Sequence, residues 1–428
     1  MRPASGVTAS DAAGSSFRTV CTGCGRHLQG GFQPFCSACG GMADIEYDLT
    51  RVELRASSNP YVRFQDLLPI ADPALLPVDA TYTPTVHATR LGEGLGMTWL
   101  YLKDETKLPT GTTKDRMAAI ALAYLHECGV KAFCTSSTGN SSTAYAHAIS
   151  GLPGLMMYLF TASRFRHRVQ TPSTDRVVHF LLRDATFVEA FDAARDYALR
   201  HGLVSERGFF NPGRREGLKL AWLEAADQVP RPIDWYVQAV SSAMGVYGVF
   251  KAARELQALG RASRLPRLLC VQQETCAPMV SAWRAGSDHI RPQDIVHRPN
   301  GIASAILRGN PTRAYPPVRR NVLDSGGTFT SVSERAIRRA RQLVEDLEGV
   351  SPCFSAAAAV AGLAKLRERG DVPPQDTVLV NLTGADRASS APAFDGHWLK
   401  RSEQDWVPED PADHVGRSLW EQETAVPG

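Results

Sequence analysis

The chain has 428 residues, more than one ordinary core holds, so two or three folding units are expected. With 43% hydrophobic and 21% charged residues and no run of about 18 apolar residues, it reads as a water-soluble globular protein without a membrane span. Its 47 basic against 44 acidic residues leave a net charge of +3, short of the basic excess that a phosphate backbone demands, which argues against nucleic acid as the main partner.

The first residues, MRPASGVTASDAAGSSF, are small and polar with no apolar h-region, so residues 1–17 are expected to be a disordered leader and the location cytoplasmic. Residues 18–45 follow as a separate small module. Cys21 and Cys24, an eleven-residue spacer, then Cys36 and Cys39 form two knuckles that present four thiolates to one zinc ion, with Gly23, Gly25 and Gly40 easing the turns. The alternative, two disulfides, suits a reducing cytosol poorly. Four thiolates leave no open coordination position, so this zinc ribbon is structural and not catalytic. The other five cysteines, Cys128, Cys134, Cys270, Cys276 and Cys353, sit singly in apolar stretches as small hydrophobes.

From about residue 50 to 400, short apolar runs alternate with amphipathic helical patterns, which predicts an α/β region built on mostly parallel sheets. Strands are expected at 98–102, 132–135, 155–160, 235–240, 268–271 and 377–382. The clearest helix spans 333–347: Ser333 caps it, Glu334 complements its positive end, Ala336, Ala340, Leu343 and Leu347 share a face, and Gly349 ends it. Residues 401–428 have three prolines and no sustained period, which reads as a C-terminal tail whose Trp406 and Trp420 dock on a surface.

Within this framework four loops carry chemistry. In KDETKLPTGTTKDRMAAIALAYLH a strand ends near Lys103, a Pro-Thr-Gly turn follows, and Lys114 stands at the mouth of a helix. The positive end of that helix and apolar neighbours favour the neutral amine that imine formation needs. The strand at 132–135 runs into SSTGNSSTAYAHA, where Ser137, Thr138, Gly139 and Asn140 form a hydroxyl-rich, anion-binding turn or simply a helix cap. The segment DWYVQAVSSAMGVYGVF places Ser241, Ser242, Ala243, Met244 and Gly245 between strand and helix, and the final strand delivers Thr383 and Gly384 in VNLTGADR.

These segments resemble the threonine synthase and cysteate synthase branch of the fold type II pyridoxal-phosphate enzymes, in which an E-x-x-N-P-T-G-S-x-K-D-R-like stretch carries the Schiff-base lysine. The resemblance runs over about residues 18–390, through VQQETCAPMVSAW, IASAILRGNP and SGGTFTSVSE. It implies two open, twisted, mostly parallel sheets flanked by helices in two interleaved domains, with pyridoxal 5'-phosphate as cofactor. It assigns Lys114 as anchor and base, Asn140 to the cofactor ring oxygen, residues 137–139 to the substrate carboxylate, residues 241–245 to the cofactor phosphate and Thr383 to the pyridine nitrogen. A neutral hydroxyl there restrains carbanion delocalisation into the ring, which suits chemistry on the substrate side chain. The phosphate turn departs from the family's run of three or four glycines, and Met244 threatens to crowd its amides.

FFNPGRREGLKLAW resembles the N-P-x-R-x-E-G-x-K stretch of threonine synthases, which implies that Asn211 and Arg214 bind the substrate phosphate, with Lys219 a weaker candidate; the alternative is a helix bearing solvated charges. The leading expectation is conversion of O-phosphohomoserine to threonine. Close behind is cysteate-synthase-like replacement of the phosphate of O-phosphoserine by sulfite or another nucleophile. A serine or threonine dehydratase on the same fold and a non-catalytic zinc-ribbon binding protein are the remaining readings. The resemblance also allows a homodimer.

Overall fold

A computed structural model describes residues 16–171, 175–386, 396–403 and 405–421. Its strands are β1 (Phe17–Cys21), β2 (Ala43–Tyr47), β3 (Thr85–His87), β4 (Leu100–Asp104), β5 (Ala132–Ser136), β6 (Met156–Ala162), β7 (Val177–Leu182), β8 (Val204–Ser205), β9 (Trp235–Ala239), β10 (Arg267–Gln273), β11 (Thr328–Val332), β12 (Val378–Leu382), β13 (His397–Ser402) and β14 (Asp405–Pro408). β1 and β2 pair antiparallel as the stem of the cysteine module. One six-stranded sheet has the order β11-β10-β9-β12-β4-β3 and the other β14-β13-β7-β6-β5-β8. Only the β3–β4 and β13–β14 pairs in these two sheets are antiparallel. After the β1–β2 pair the chain enters the first of these sheets, crosses to the second after β4, returns at β9 and ends in the second, so the two sheets are interleaved along the chain.

All six expected strands form, with ends moved by one or two residues where the partner strand sets the pairing; Leu100 opposes Val378, so β4 begins and ends two residues late. The expected helix spans Glu334–Glu348, capped by Ser333, which accepts from the Ala336 amide at 3.2 Å, and closed by Gly349 at φ +68°. The expected leader lies outside the described residues up to 15, but Phe17 already belongs to β1. Residues 401–421 differ from the aperiodic tail expected of them. β13 extends the second sheet parallel to β7, β14 turns back on it, and a helix spans His414–Glu421. Trp406 and Trp420 dock as expected, Trp420 lying 5.3 Å from the Tyr197 ring and 5.4 Å from Phe180. The segments HWLKRS and DWVP are mostly polar or exposed and carry neither the apolar run nor the alternation that marked the other strands.

The helix Lys114–Glu127 is the hub of the molecule: residues 115–125 are all buried. Its small side chains allow backbone-close packing, and the neighbouring helix Pro212–Leu218 meets it through glycines. A Cβ on Gly213 would lie 2.9 Å from the Ala121 Cα, and one on Gly217 only 2.3 Å from the Arg116 carbonyl oxygen. A third helix, Met244–Ala258, approaches as closely, since a Cβ on Gly248 would fall 2.3 Å from the Arg215 oxygen. Under this packing lies a fully buried ionic network. Arg116 donates to Glu105 at 2.7 Å and to Glu224 at 2.8 Å, and Lys103 donates to Glu224 at 2.7 Å. Such a network specifies one arrangement because removing any member strands another charge, at a cost of about 3–5 kcal/mol.

The cysteine module is docked by a second buried network. Tyr47 donates to Glu216 at 2.6 Å, and Lys219 binds Glu216 at 2.6 Å and Glu255 at 2.8 Å. Lys251 pairs with Glu216, and Tyr247 donates to Asp44 at 2.8 Å. Burial opposes ionisation of Asp44, but Lys251 and Arg215 hold its carboxyl at about 2.

The glycine contacts yield a direct stability test. Gly217→Ala is expected to cost about 3 kcal/mol in urea unfolding, because its methyl must displace backbone. Gly94→Ala, in the helix Thr89–Leu95 with open space around it, is expected to raise stability by about 0.5–1 kcal/mol. Equal effects at the two positions would refute this account of the packing.

Candidate active site

Three of the four expected loops leave the carboxyl ends of adjacent parallel strands. In the order β9-β12-β4, they carry residues 241–245, Thr383 and the Lys114 loop respectively. Loops at the carboxyl ends of parallel strands form the ligand crevice of open α/β sheets. The Thr113 amide donates to the Thr383 carbonyl at 2.9 Å and the Ala385 amide to Gly111 at 2.9 Å, so the lysine loop and the Thr383 turn are one hydrogen-bonded unit. The fourth loop comes from the second sheet, at the end of β5. Its helix Asn140–Ile149 packs on the lysine helix, with the Ser141 hydroxyl 3.9 Å from the Met117 sulfur.

Lys114 is the first residue of its helix and is half-buried. Among the described residues its side chain has no hydrogen-bond or ion-pair partner. Burial first, then the charge of Arg214, lowers its amine to about 8. A substantial share of the amine is therefore neutral near physiological pH, as a nucleophile and base must be.

The asparagine loop is organised around Ser137, whose hydroxyl accepts from the Gly139 amide at 3.1 Å and the Ser142 amide at 3.2 Å. Gly139 sits at φ +131°, and a Cβ there would lie 2.8 Å from both the Cβ and the carbonyl oxygen of Arg168, so glycine is required twice over. Thr138 and Asn140 follow in the same turn, Asn140 as the first helical residue.

In the turn expected to hold the cofactor phosphate, Ala243 occupies the left-handed region at φ +58°, a conformation that costs an alanine roughly 1–2 kcal/mol relative to glycine. The glycine-like geometry is thus present without the glycine. Met244 is buried in the core, so its side chain does not crowd the turn. Gly245 abuts Gln238, where a Cβ would lie 2.8 Å from the amide nitrogen, and Ser241 and Ser242 are half-exposed before the helix Met244–Ala258. A left-handed residue followed by a helix N-terminus converges successive amides as an anion cradle does.

Asn211 and Arg214 come together one layer further in, on a carboxylate that the sequence reading passed over. Glu206 accepts from Asn211 Nδ2 and from the Tyr145 hydroxyl, each at 3.0 Å, and pairs with the Arg214 guanidinium through both oxygens. Tyr145 also lies under that guanidinium, 5.0 Å from ring to charge. Burial opposes the charge of Arg214, but Glu206 outweighs it and raises its pKa. Lys219 is fully buried between Glu216 and Glu255 in the docking network, and residues 212–218 are buried throughout, so the solvated-helix alternative does not hold.

Beside Asn140 a cavity of about 250 Å³ opens between the sheets. Arg168 and His167 line it from one side, and Ser304, Cys353, Ser355 and Asp386 from the other. Asn140, Ser304, Cys353–Ser355 and Asp386 lay in stretches that stood out in the sequence; Arg168 carried no signal. A cavity of about 290 Å³ at the edge of the second sheet holds charges that pair with one another, such as Arg401 with Glu189 at 2.7 Å, and none of the candidate residues.

The four cysteine sulfurs lie within 4.8 Å of one another. Cys21 and Cys39 are 3.4 Å apart and Cys24 and Cys36 3.9 Å apart, far beyond a disulfide bond of about 2.05 Å and close to the edges of a zinc tetrahedron. The arrangement fits a metal and not two disulfides. Among the described residues no helix is long and apolar enough to cross a membrane.

The available amine, the glycine-bordered loop and the left-handed turn fit pyridoxal phosphate. Only the neutral amine forms an imine, and its fraction grows as pH rises through its pKa. The rate at which cofactor-free protein captures added pyridoxal phosphate is therefore expected to rise with pH and level off above about 8. A rise continuing to the unperturbed lysine range near 10.4 would contradict the perturbed site.

The chain matches the model of the pyridoxal-phosphate dependent enzyme family over residues 78–384. It is 31% identical to threonine synthase of Methanosarcina acetivorans, covering 82% of this chain and 86% of that one. It is 30% identical to cysteate synthase of Methanoculleus marisnigri, covering 95% and 98% respectively. Among solved structures, Escherichia coli diaminopropionate ammonia lyase superposes with a TM-score of 0.59 at 16% identity, over 72% of this chain and 86% of that one, a likeness of fold. With its interleaved parallel sheets and lysine-bearing loop, the chain belongs to the pyridoxal-phosphate dependent enzymes and has their fold type II architecture.

Proposed function

We propose that this enzyme eliminates phosphate from an amino acid phosphorylated on its side chain and adds a nucleophile, converting O-phosphohomoserine and water to threonine and phosphate. The observation that carries the reading is Lys114, an accessible amine of lowered pKa at the junction of the loops that follow β4 and β12. Residues 241–245 would hold the cofactor phosphate, and Asn140 and Thr383 the ring. Pyridoxal phosphate, when bound, supplies the electron sink that acidifies the α-proton of the substrate.

The roles of the chain's own residues follow from their placement. Lys114 Nζ takes the α-proton and is the base that later returns one. Residues 137–139 offer amides and hydroxyls to the substrate carboxylate at the positive end of the helix Asn140–Ile149. Arg214, fixed by Glu206, Tyr145 and Asn211, keeps a permanent positive charge near Lys114 and so favours its neutral form. The likeness to a cysteate synthase over nearly the whole of both chains supports a second reading, in which O-phosphoserine loses phosphate and sulfite adds.

Purified enzyme is to be given O-phosphohomoserine or O-phosphoserine, with and without sulfite, while phosphate and product masses are followed. Threonine from O-phosphohomoserine is the expected outcome, and Lys114→Ala is expected to reduce it by about 10³-fold or more. Sulfite-dependent turnover of O-phosphoserine would move the assignment to the second reading. Turnover of unphosphorylated serine or threonine alone would make the enzyme a dehydratase and overturn both.

We also propose that Cys21, Cys24, Cys36 and Cys39 bind one structural zinc ion, which clamps β1 to β2 and thereby the surface that meets Glu216. One zinc per chain is expected by elemental analysis, and Cys36→Ser is expected to lower both zinc content and melting temperature. Full stability without metal would refute it.

A further inference from the structure

We infer that Glu206 is a positioning residue of this enzyme, whose carboxylate fixes Arg214 beside Lys114 and ties it to the helix that opens at Asn140; this rests on Lys114 being the cofactor-binding amine, as proposed above. Arg214 is then a fixed charge that acts through Lys114, not the ligand of the substrate phosphate that the resemblance implies.

Glu206 directly follows β8, and its amide donates to the Cys134 carbonyl of β5 at 3.0 Å, so its backbone is anchored on the second sheet. Its side chain is buried and crowded with donors. One oxygen accepts from the Tyr145 hydroxyl and Asn211 Nδ2, each at 3.0 Å, and from Arg214 Nε. The other accepts from the Gly208 amide at 3.1 Å, the Thr135 hydroxyl at 3.4 Å and Arg214 Nη2. Thr135 belongs to the strand that leads into the asparagine loop and Tyr145 to the helix that leaves it. Arg214 lies between Gly213 and Gly217, the residues that bring its helix to backbone distance of the lysine helix. One carboxylate thus joins the loop proposed to bind the substrate carboxylate to the helix seated on Lys114. Arg214 Nε also donates to the Tyr145 hydroxyl at 2.9 Å. A phosphate dianion brought to this guanidinium would meet the Glu206 carboxylate as well, where like-charge repulsion is weakly screened.

Of the charges around Lys114, Arg214 is the one that bears on its amine, adding to the effect of burial. The others are engaged elsewhere. Asp115 accepts from the Thr110 amide at 2.7 Å and hydroxyl at 2.6 Å, and Arg116 is held by Glu105 and Glu224. Arg215 and Glu216 face the cysteine module, and Asp386 pairs with Arg341 at 2.7 Å. His147 is exposed, while His167, Arg168 and Cys353 line the cavity beside Asn140. A guanidinium left unpaired in a buried site is strongly destabilised and turns toward water. Without the Glu206 carboxylate the positive charge therefore leaves Lys114, and the ammonium form regains ground.

The test follows how fast cofactor-free, full-length protein captures added pyridoxal phosphate as pH is raised, with thermal melting as the check on folding. Arg214→Gln and Glu206→Gln are each expected to move the midpoint of that rise upward by about 0.5 unit or more, and the double variant no further than either alone. Tyr145→Phe removes a hydroxyl shared by both partners but leaves the ion pair. It is expected to move the midpoint the same way by less, and it answers the question should Glu206→Gln fail to fold. A lower melting temperature with an unmoved midpoint makes Glu206 merely structural and overturns the inference, as does a midpoint that falls in Glu206→Gln. So does a loss of about tenfold in inorganic phosphate binding to the Arg214→Gln holoenzyme, read by calorimetry, which makes Arg214 a phosphate ligand. Lys114→Ala separates the two readings: capture that survives it sinks Lys114 as the cofactor-binding amine, whereas capture lost there with midpoints unmoved in the other variants sinks the role of Glu206 alone.

Discussion

The helix that begins at Lys114 is buried along its length, and this constraint organises the rest of the molecule. A helix can be so enclosed only if its neighbours approach at backbone distance, hence Gly213 and Gly217 on one partner and Gly248 on the next. It also carries Arg116, whose charge must then be met inside the protein by Glu105 and Glu224. The glycines and carboxylates are two consequences of one placement. Together they fix the first residue of the helix beside the carboxyl ends of β4 and β12.

The same packing ties the cysteine module to the site. Arg214, Arg215 and Glu216 are consecutive on the helix that packs against the lysine helix. Arg214 faces Glu206 and bears on Lys114, while Arg215 and Glu216 face Asp44 and Tyr47 of the module. The module is therefore a wall of the enzyme and not an appendage, and a metal held by its four thiolates would act through folding, with no coordination position left open.

Electrostatics sets the task of Arg214: an arginine already bound to a buried carboxylate serves as a fixed charge, and here it lowers the pKa of Lys114. Residue type alone does not show this. The N-P-G-R motif pointed to Arg214 because arginine suits phosphate, and nothing in the local pattern shows that Glu206, eight residues upstream, reaches it first.

Much of the fold was legible because its signals are local. Six strands, the Ser333-capped helix and the two cysteine knuckles each lie within a few residues whose periodicity, caps or spacing mark them, whereas the role expected of Lys114 came from the resemblance of its loop to the family's lysine segment. The strands β13 and β14 escaped because pairing of β13 with β7 and of β14 with β13, not intrinsic pattern, makes them strands. By itself, then, the sequence determined the class of fold, the placement of a lysine at the mouth of a helix and the tetrad of thiolates, all encoded by neighbouring residues. Only the tertiary structure decided that Lys219 is a buried link, that Met244 turns into the core, that Ala243 takes a glycine's conformation, and that Arg168 packs against Gly139 of the asparagine loop. Each of those depends on which distant groups share a site, and burial and charge at that site, not residue type, settle what a side chain does.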